Sequence, residues 1–77
     1  SDLDTTTVVR AVAEHGQIVG HTALCERFPV KVVDAAFERE VGMGRLNYGV
    51  TLRSAWLEPA GLRWLREHSD PTERETP

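Results

Sequence analysis

Apolar residues along the chain recur first at helical spacing, then at strand spacing, then at helical spacing again. Val8, Val9 and Val12 share one side of a stretch from Thr5 to His15, with Asp4 before it as N-cap and Gly16 after it as stop. Gln17 to Val19 is a short apolar bridge and reads as a stub of strand. Thr22 then caps a second helix over about Ala23 to Phe28, with Leu24 and Phe28 four apart on one face. Pro29 breaks it, because proline lacks the amide donor and disfavours helix at the residue before it. A third helix follows over about Lys31 to Val41. Val33, Ala36, Phe37 and Glu40 fall on one face of it, and Lys31, Asp34, Ala35, Glu38 and Arg39 on the wet face.

Gly42 and Gly44 end that helix, and the period changes. Leu46, Tyr48 and Val50 alternate with Arg45, Asn47 and Gly49, the mark of a half-buried strand. Thr51 to Ser54 is a polar tip, and Ala55 to Leu57 returns as a second strand. Pro59 suits the first position of a last helix, where its missing amide costs nothing. Leu62 and Leu65 are expected to pack that helix inward, and it ends near His68. The closing SDPTERETP, residues 69 to 77, is acidic, polar and proline-bearing, and reads as disordered. The expected organisation is a lead over 1–4, one folded domain over 5–68 and an acidic tail over 69–77.

Two short helices joined by a tight turn, the second with a wet face, describe a helix-turn-helix, and a hairpin directly after them describes a wing. With Ile18, Leu24, Val33, Phe37, "GRL" at 44–46 and "WLEPAGLRWL" at 56–65, the chain resembles the winged helix-turn-helix family. The last run is similar to the "LTPAG" close of small prokaryotic and phage regulators, with Glu58 where a threonine N-cap is usual. The resemblance covers about residues 5 to 68. It implies a mostly α fold with a small antiparallel hairpin: a three-helix core, a wing and a C-terminal helix. It also implies a recognition helix in the major groove and a wing on the backbone or minor groove.

A chain of 77 residues is one small domain of marginal stability. It is expected to work as a homodimer or as one module of a larger protein. No apolar run approaches the roughly 18 residues of a membrane span, so no membrane partner is expected. Leu3 to Thr7 does not open like a secretory leader, and Cys25 alone cannot form an internal disulfide, so a cytoplasmic setting is expected. The net charge of −3 argues against a nucleic-acid partner until its placement is considered. Residues 6 to 66 carry eight cations against six acids, so the acidity belongs to the ends. Residues 41 to 57 hold Arg45 and Arg53 and no carboxylate.

The first functional expectation is therefore sequence-specific binding of double-stranded DNA by a transcriptional or phage/plasmid regulator. Thr22, Lys31, Asp34, Ala35, Glu38 and Arg39 would present the helical contacts, with Lys31 and Arg39 as the basic ones. Asp34 and Glu38 offset those two cations, as on an ordinary solvated face. Arg45, Asn47, Thr51, Arg53 and Ser54 would reach phosphate oxygens from the hairpin. The second expectation is a protein–protein interaction or assembly module of the same fold without DNA binding. No enzymatic role is expected, since no nucleophile elbow, phosphate loop or paired-carboxylate site is visible. No cofactor is expected either. His15, His21 and Cys25 lack the four-ligand spacing of a closed zinc site, and Cys25 reads as a small, half-buried hydrophobe. Trp56 and Trp64 read as packing residues, with Trp64 a candidate anchor for a partner if it lies off the Leu62–Leu65 face.

Overall fold

The computed structural model describes residues 3–68, so the acidic tail and the first two residues of the lead lie outside the described residues. Over that span the chain is mostly helical, with four α-helices and one two-stranded antiparallel sheet. Helix α1 is Thr5–His15, α2 Val19–Cys25, α3 Val30–Gly42 and α4 Pro59–His68. Strand β1 is Leu46–Asn47 and β2 Trp56–Leu57, with a single 3-10 turn, Leu52–Ser54, between them. The core is built from Val8, Val12, Leu24, Val33, Phe37 and Leu46, with Leu3 and Ala55 closing its edges.

Helix α1 follows its sequence signals. The Asp4 carboxylate accepts from the Thr7 amide at 2.8 Å, and Gly16 ends the helix at φ 83°, its amide donating to the Val12 carbonyl. Helix α2 departs from expectation. It begins at Val19 rather than Ala23, so Gln17–Val19 is no strand and Thr22 is an exposed residue inside the helix rather than its cap. The reason lies in α1. A Cβ on Gly20 would stand 2.9 Å from the Val12 Cα and 3.1 Å from the Ala11 carbonyl oxygen, so a bare glycine face is what lets the two helices cross closely. To start there, the chain reverses through a tight turn centred on Ile18 at φ 58° and ψ −58°, the Val19 amide donating to the Gln17 carbonyl.

Helix α3 starts after Pro29, whose carbonyl accepts from the Val32 and Val33 amides. It buries Val33, Ala36, Phe37 and Glu40, the face that the 3.6-residue period marks out. It ends in a Schellman motif. Gly44 takes the left-handed position at φ 77°, its amide donates to the Val41 carbonyl, and the Arg45 amide donates to that of Glu40.

The hairpin pairs Leu46 with Leu57 and Asn47 with Trp56, and no further. The longer strand expected through Val50 does not form. Tyr48 is exposed and Val50 is 93% exposed, because Leu52 and Ala55 take the inward positions instead. The tip is therefore no loose polar loop. Its 3-10 turn, closed by the Ser54 and Ala55 amides on the Thr51 and Leu52 carbonyls, lies against both α2 and α3.

The last helix meets its expectation in part. Leu65 is half-buried as expected, but Leu62 is 42% exposed, while Gly61 is buried and Trp64 is half-buried. A Cβ on Gly61 would overlap the Arg45 carbonyl oxygen, so contact at zero side chain fixes the face of α4. Trp64 is thus engaged within the fold. Its indole N–H donates to Thr6 Oγ1 at 3.2 Å, and its ring stacks on His68 with centroids 3.6 Å apart.

Candidate nucleic-acid interface

Of the residues expected to contact DNA from the helices, Thr22, Lys31, Ala35, Glu38 and Arg39 are exposed on α2 and α3. Asp34 is half-buried. It accepts from the His21 Nε2–H at 2.7 Å, a contact that ties the start of α3 to α2. His21 itself is buried, its ring edge against Phe37 with centroids 4.9 Å apart. Arg39 is partly engaged, since its Nε donates to Glu40 Oε2 at 2.8 Å while much of the side chain stays in solvent.

The hairpin residues separate into two groups. Arg45 turns inward. Its Nε donates to Glu40 Oε1, and its guanidinium lies 4.6 Å from the centroid of Trp64. Only 14% of its side-chain surface is left to solvent, so its charge is already committed. Ser54 is half-buried and donates to the Thr51 carbonyl at 2.9 Å. Asn47, Thr51 and Arg53 are exposed, with the Asn47 side chain accepting from the Tyr48 amide.

Glu40 explains why Arg45 is unavailable. It has no exposed surface, yet it receives three donors: Thr5 Oγ1 at 2.7 Å, Arg39 Nε and Arg45 Nε. Burial pushes its carboxyl up, but the hydrogen bonds from Arg45, Thr5 and Arg39 outweigh that and hold it below its ordinary value of 4.5. The sequence places Glu40 on the buried face but gives no sign of its distant partners, Thr5 from α1 and Arg45 from the turn before β1, which join its neighbour Arg39.

Between α2, the first turn of α3 and the 3-10 turn lies an open groove of about 610 Å³. Thr22, Val30, Asp34, Thr51, Leu52 and Arg53 face it, and so do His21 and Cys25. This groove joins Thr22 and Asp34 of the expected helix contacts to Thr51 and Arg53 of the hairpin, while Lys31, Ala35 and Arg39 lie in a separate groove with Leu3, Val32 and Ala36. Sequence reasoning missed it because it depends on the tip folding back. The only forewarning is the i, i+4 spacing of His21 and Cys25 on one face of α2. His15 is elsewhere, in a groove between α1 and α2 with Arg10, Glu14 and Arg27. Among the described residues no three His, Cys, Asp or Glu side chains converge to hold a metal, and no helix is long and apolar enough to cross a membrane. No protein-family model, curated protein or solved structure matches the chain.

Proposed function

We propose that this chain is a winged helix-turn-helix domain that binds double-stranded DNA as a homodimer or as a module of a larger regulator. Helix α3 is directed to the major groove and the hairpin tip to the phosphate backbone. The observation that carries the reading is Arg53: an exposed cation in a carboxylate-free hairpin, lining a groove with Val30 and Asp34 of the first turn of α3 and next to Leu52, which packs on the core. The four-residue turn between α2 and α3, the hairpin after them and the closing helix support the same reading.

The placement of the charges sets its strength. With Arg45 turned inward onto Glu40 and Arg39 partly engaged by it, the cations left for phosphate near the tip and α3 are chiefly Lys31 and Arg53. Two or three neutralised phosphates give a salt slope of about −2 to −3, so affinity for random duplex is modest and specificity rests on base contacts. The test is a salt series of binding isotherms on one preferred and one random duplex. Arg53→Ala is expected to weaken both by a similar factor and to make the slope shallower by about one unit. Lys31→Ala is expected to change which sequence is preferred. An unchanged slope for Arg53→Ala removes that residue from the backbone role.

A second reading, a protein-interaction module, is favoured by exposed apolar residues on α3 and the hairpin. Val30 at the start of α3 and Tyr48 and Val50 in the hairpin are exposed. Absence of any duplex binding at low salt selects this second reading.

A further inference from the structure

The Cys25 thiol, the His21 imidazole and the Asp34 carboxylate form a connected line on the wall of the groove. An ionised carboxylate only accepts, so His21 Nε2 carries the ring proton toward Asp34, and Nδ1 turns its lone pair to sulfur. The Cys25 S–H donates to that nitrogen at 3.6 Å. Nucleophile, base and a group that orients the base are thus in sequence, which is the arrangement an activated nucleophile requires.

The surroundings add what a packed thiol lacks. The groove of about 610 Å³ is large enough for a small molecule, and Cys25 opens onto it. Val30 and Leu52 supply an apolar wall, and Arg53 lines the same space with a guanidinium that can meet a developing negative oxygen. Burial pushes the Cys25 thiol above its ordinary value, and the Asp34 charge pushes the same way against the opposing pull of Arg53. Sulfur therefore holds its proton at neutral pH, and any reaction has to pass that proton to His21.

We propose that Cys25 is a covalent modification site for small α,β-unsaturated carbonyl compounds, with His21 as base and Arg53 as partner of the carbonyl oxygen. The Cys25 sulfur forms a bond to the β-carbon of the acceptor as its proton moves to His21 Nδ1. The π pair of the carbon–carbon double bond shifts to give an enolate whose oxygen lies by Arg53. The imidazolium then returns the proton to the α-carbon, the carbonyl re-forms, and the product is a neutral thioether. Every atom of both reactants is retained, and neither oxidant nor reductant is consumed. The groove residues that this uses are the ones Arg53 and Leu52 bring to α2 and α3, so an adduct sits between the hairpin tip and those helices.

The test is the rate of N-ethylmaleimide addition to the full chain, followed by intact-mass spectrometry without DNA, so its outcome is independent of the binding reading. At pH ~7 an ordinary thiol is only about 3% thiolate, while an ordinary imidazole is mostly neutral and can accept a proton. The folded chain is expected to react about tenfold faster or more than the same chain unfolded in urea, because only the folded chain supplies the base. Asp34→Asn, which leaves His21 in the core but weakens its orientation, is expected to slow the folded chain several-fold with little change in thermal melt. Arg53→Gln is expected to slow maleimide addition but not alkylation by iodoacetamide, in which no oxyanion forms. A folded chain that reacts no faster than the unfolded one overturns the proposal and makes Cys25 an inert core thiol. An unchanged maleimide rate in Asp34→Asn or Arg53→Gln overturns the role given to that residue.

Discussion

Glu40 shows how a single ionised residue can sit inside a small core. A buried carboxylate without partners would be neutral; here three donors from α1, α3 and the turn before β1 surround it. Removing it leaves the Arg45 guanidinium with little solvent and no counter-charge. Glu40→Ala is therefore expected to destabilise the fold by about 3–5 kcal/mol, read as a loss in the urea midpoint. A change under about 1 kcal/mol would mean that Arg45 finds water instead. Its titration has a definite sign. The folded carboxyl lies below 4.5, its ordinary value, so its contribution is complete above that value and is lost as pH falls through the folded value. Stability is expected to drop on acidification below pH ~5, and Glu40→Gln should flatten that drop.

Gly61 is the other residue on which α4 depends. In a free helix, glycine to alanine would stabilise by about 1 kcal/mol. Here the added Cβ meets the Arg45 carbonyl oxygen, which also accepts from the Glu58 amide at 3.0 Å and cannot move freely. Overpacking wins, and Gly61→Ala is expected to lower stability by about 1–3 kcal/mol. A raised melting temperature in this variant would show that α4 can slide outward.

At the scale of elements, α2 is the one whose start is imposed from outside. Ile18 holds a positive φ that β-branched residues rarely adopt, so that Gly20 can lie on α1. Such a conformation costs roughly 1–3 kcal/mol, while glycine there would cost about 0.5–1 in unfolded-chain entropy. The Ile18 side chain is about half exposed, so little burial is lost. Ile18→Gly is accordingly expected to stabilise by about 1 kcal/mol, a rise of some 4–8 °C in Tm. A fall in Tm would show that the side chain packs more tightly against α1 than its exposure indicates. The hairpin follows the same logic. Its pairing stops after two residues on each side, and the packing of Leu52 and Ala55 decides where the tip goes.

At the scale of the molecule, three contacts from distant parts of the chain hold the closing helix: Trp64 to Thr6, Trp64 over Arg45, and Gly61 under Arg45. Arg45 thereby joins the end of α3, β1 and α4. This is why a cation that sequence alone offers to phosphate is unavailable at the surface. The basic character of the candidate interface consequently narrows to Lys31 and Arg53, and the salt slope in the binding experiment measures that narrowing.

The helices α1, α3 and α4 were legible in the sequence to within a residue or so at each end. Their determinants are local: the Asp4 cap, the Gly16 and Gly44 stops, Pro29 and Pro59, and the valine and phenylalanine period of α3. The buried face of α3 was legible for the same reason, Glu40 included. What tertiary structure alone decided has one physical source, the close approach of segments far apart in sequence. Gly20 against Val12 set the start of α2, Gly61 against Arg45 set the face of α4, and Leu52 on the core turned the tip inward. The groove, the inward turn of Arg45 and the line from Asp34 through His21 to Cys25 all follow from those approaches. Periodicity reports which side of an element is apolar; it carries no information about the place where a missing side chain lets two backbones meet.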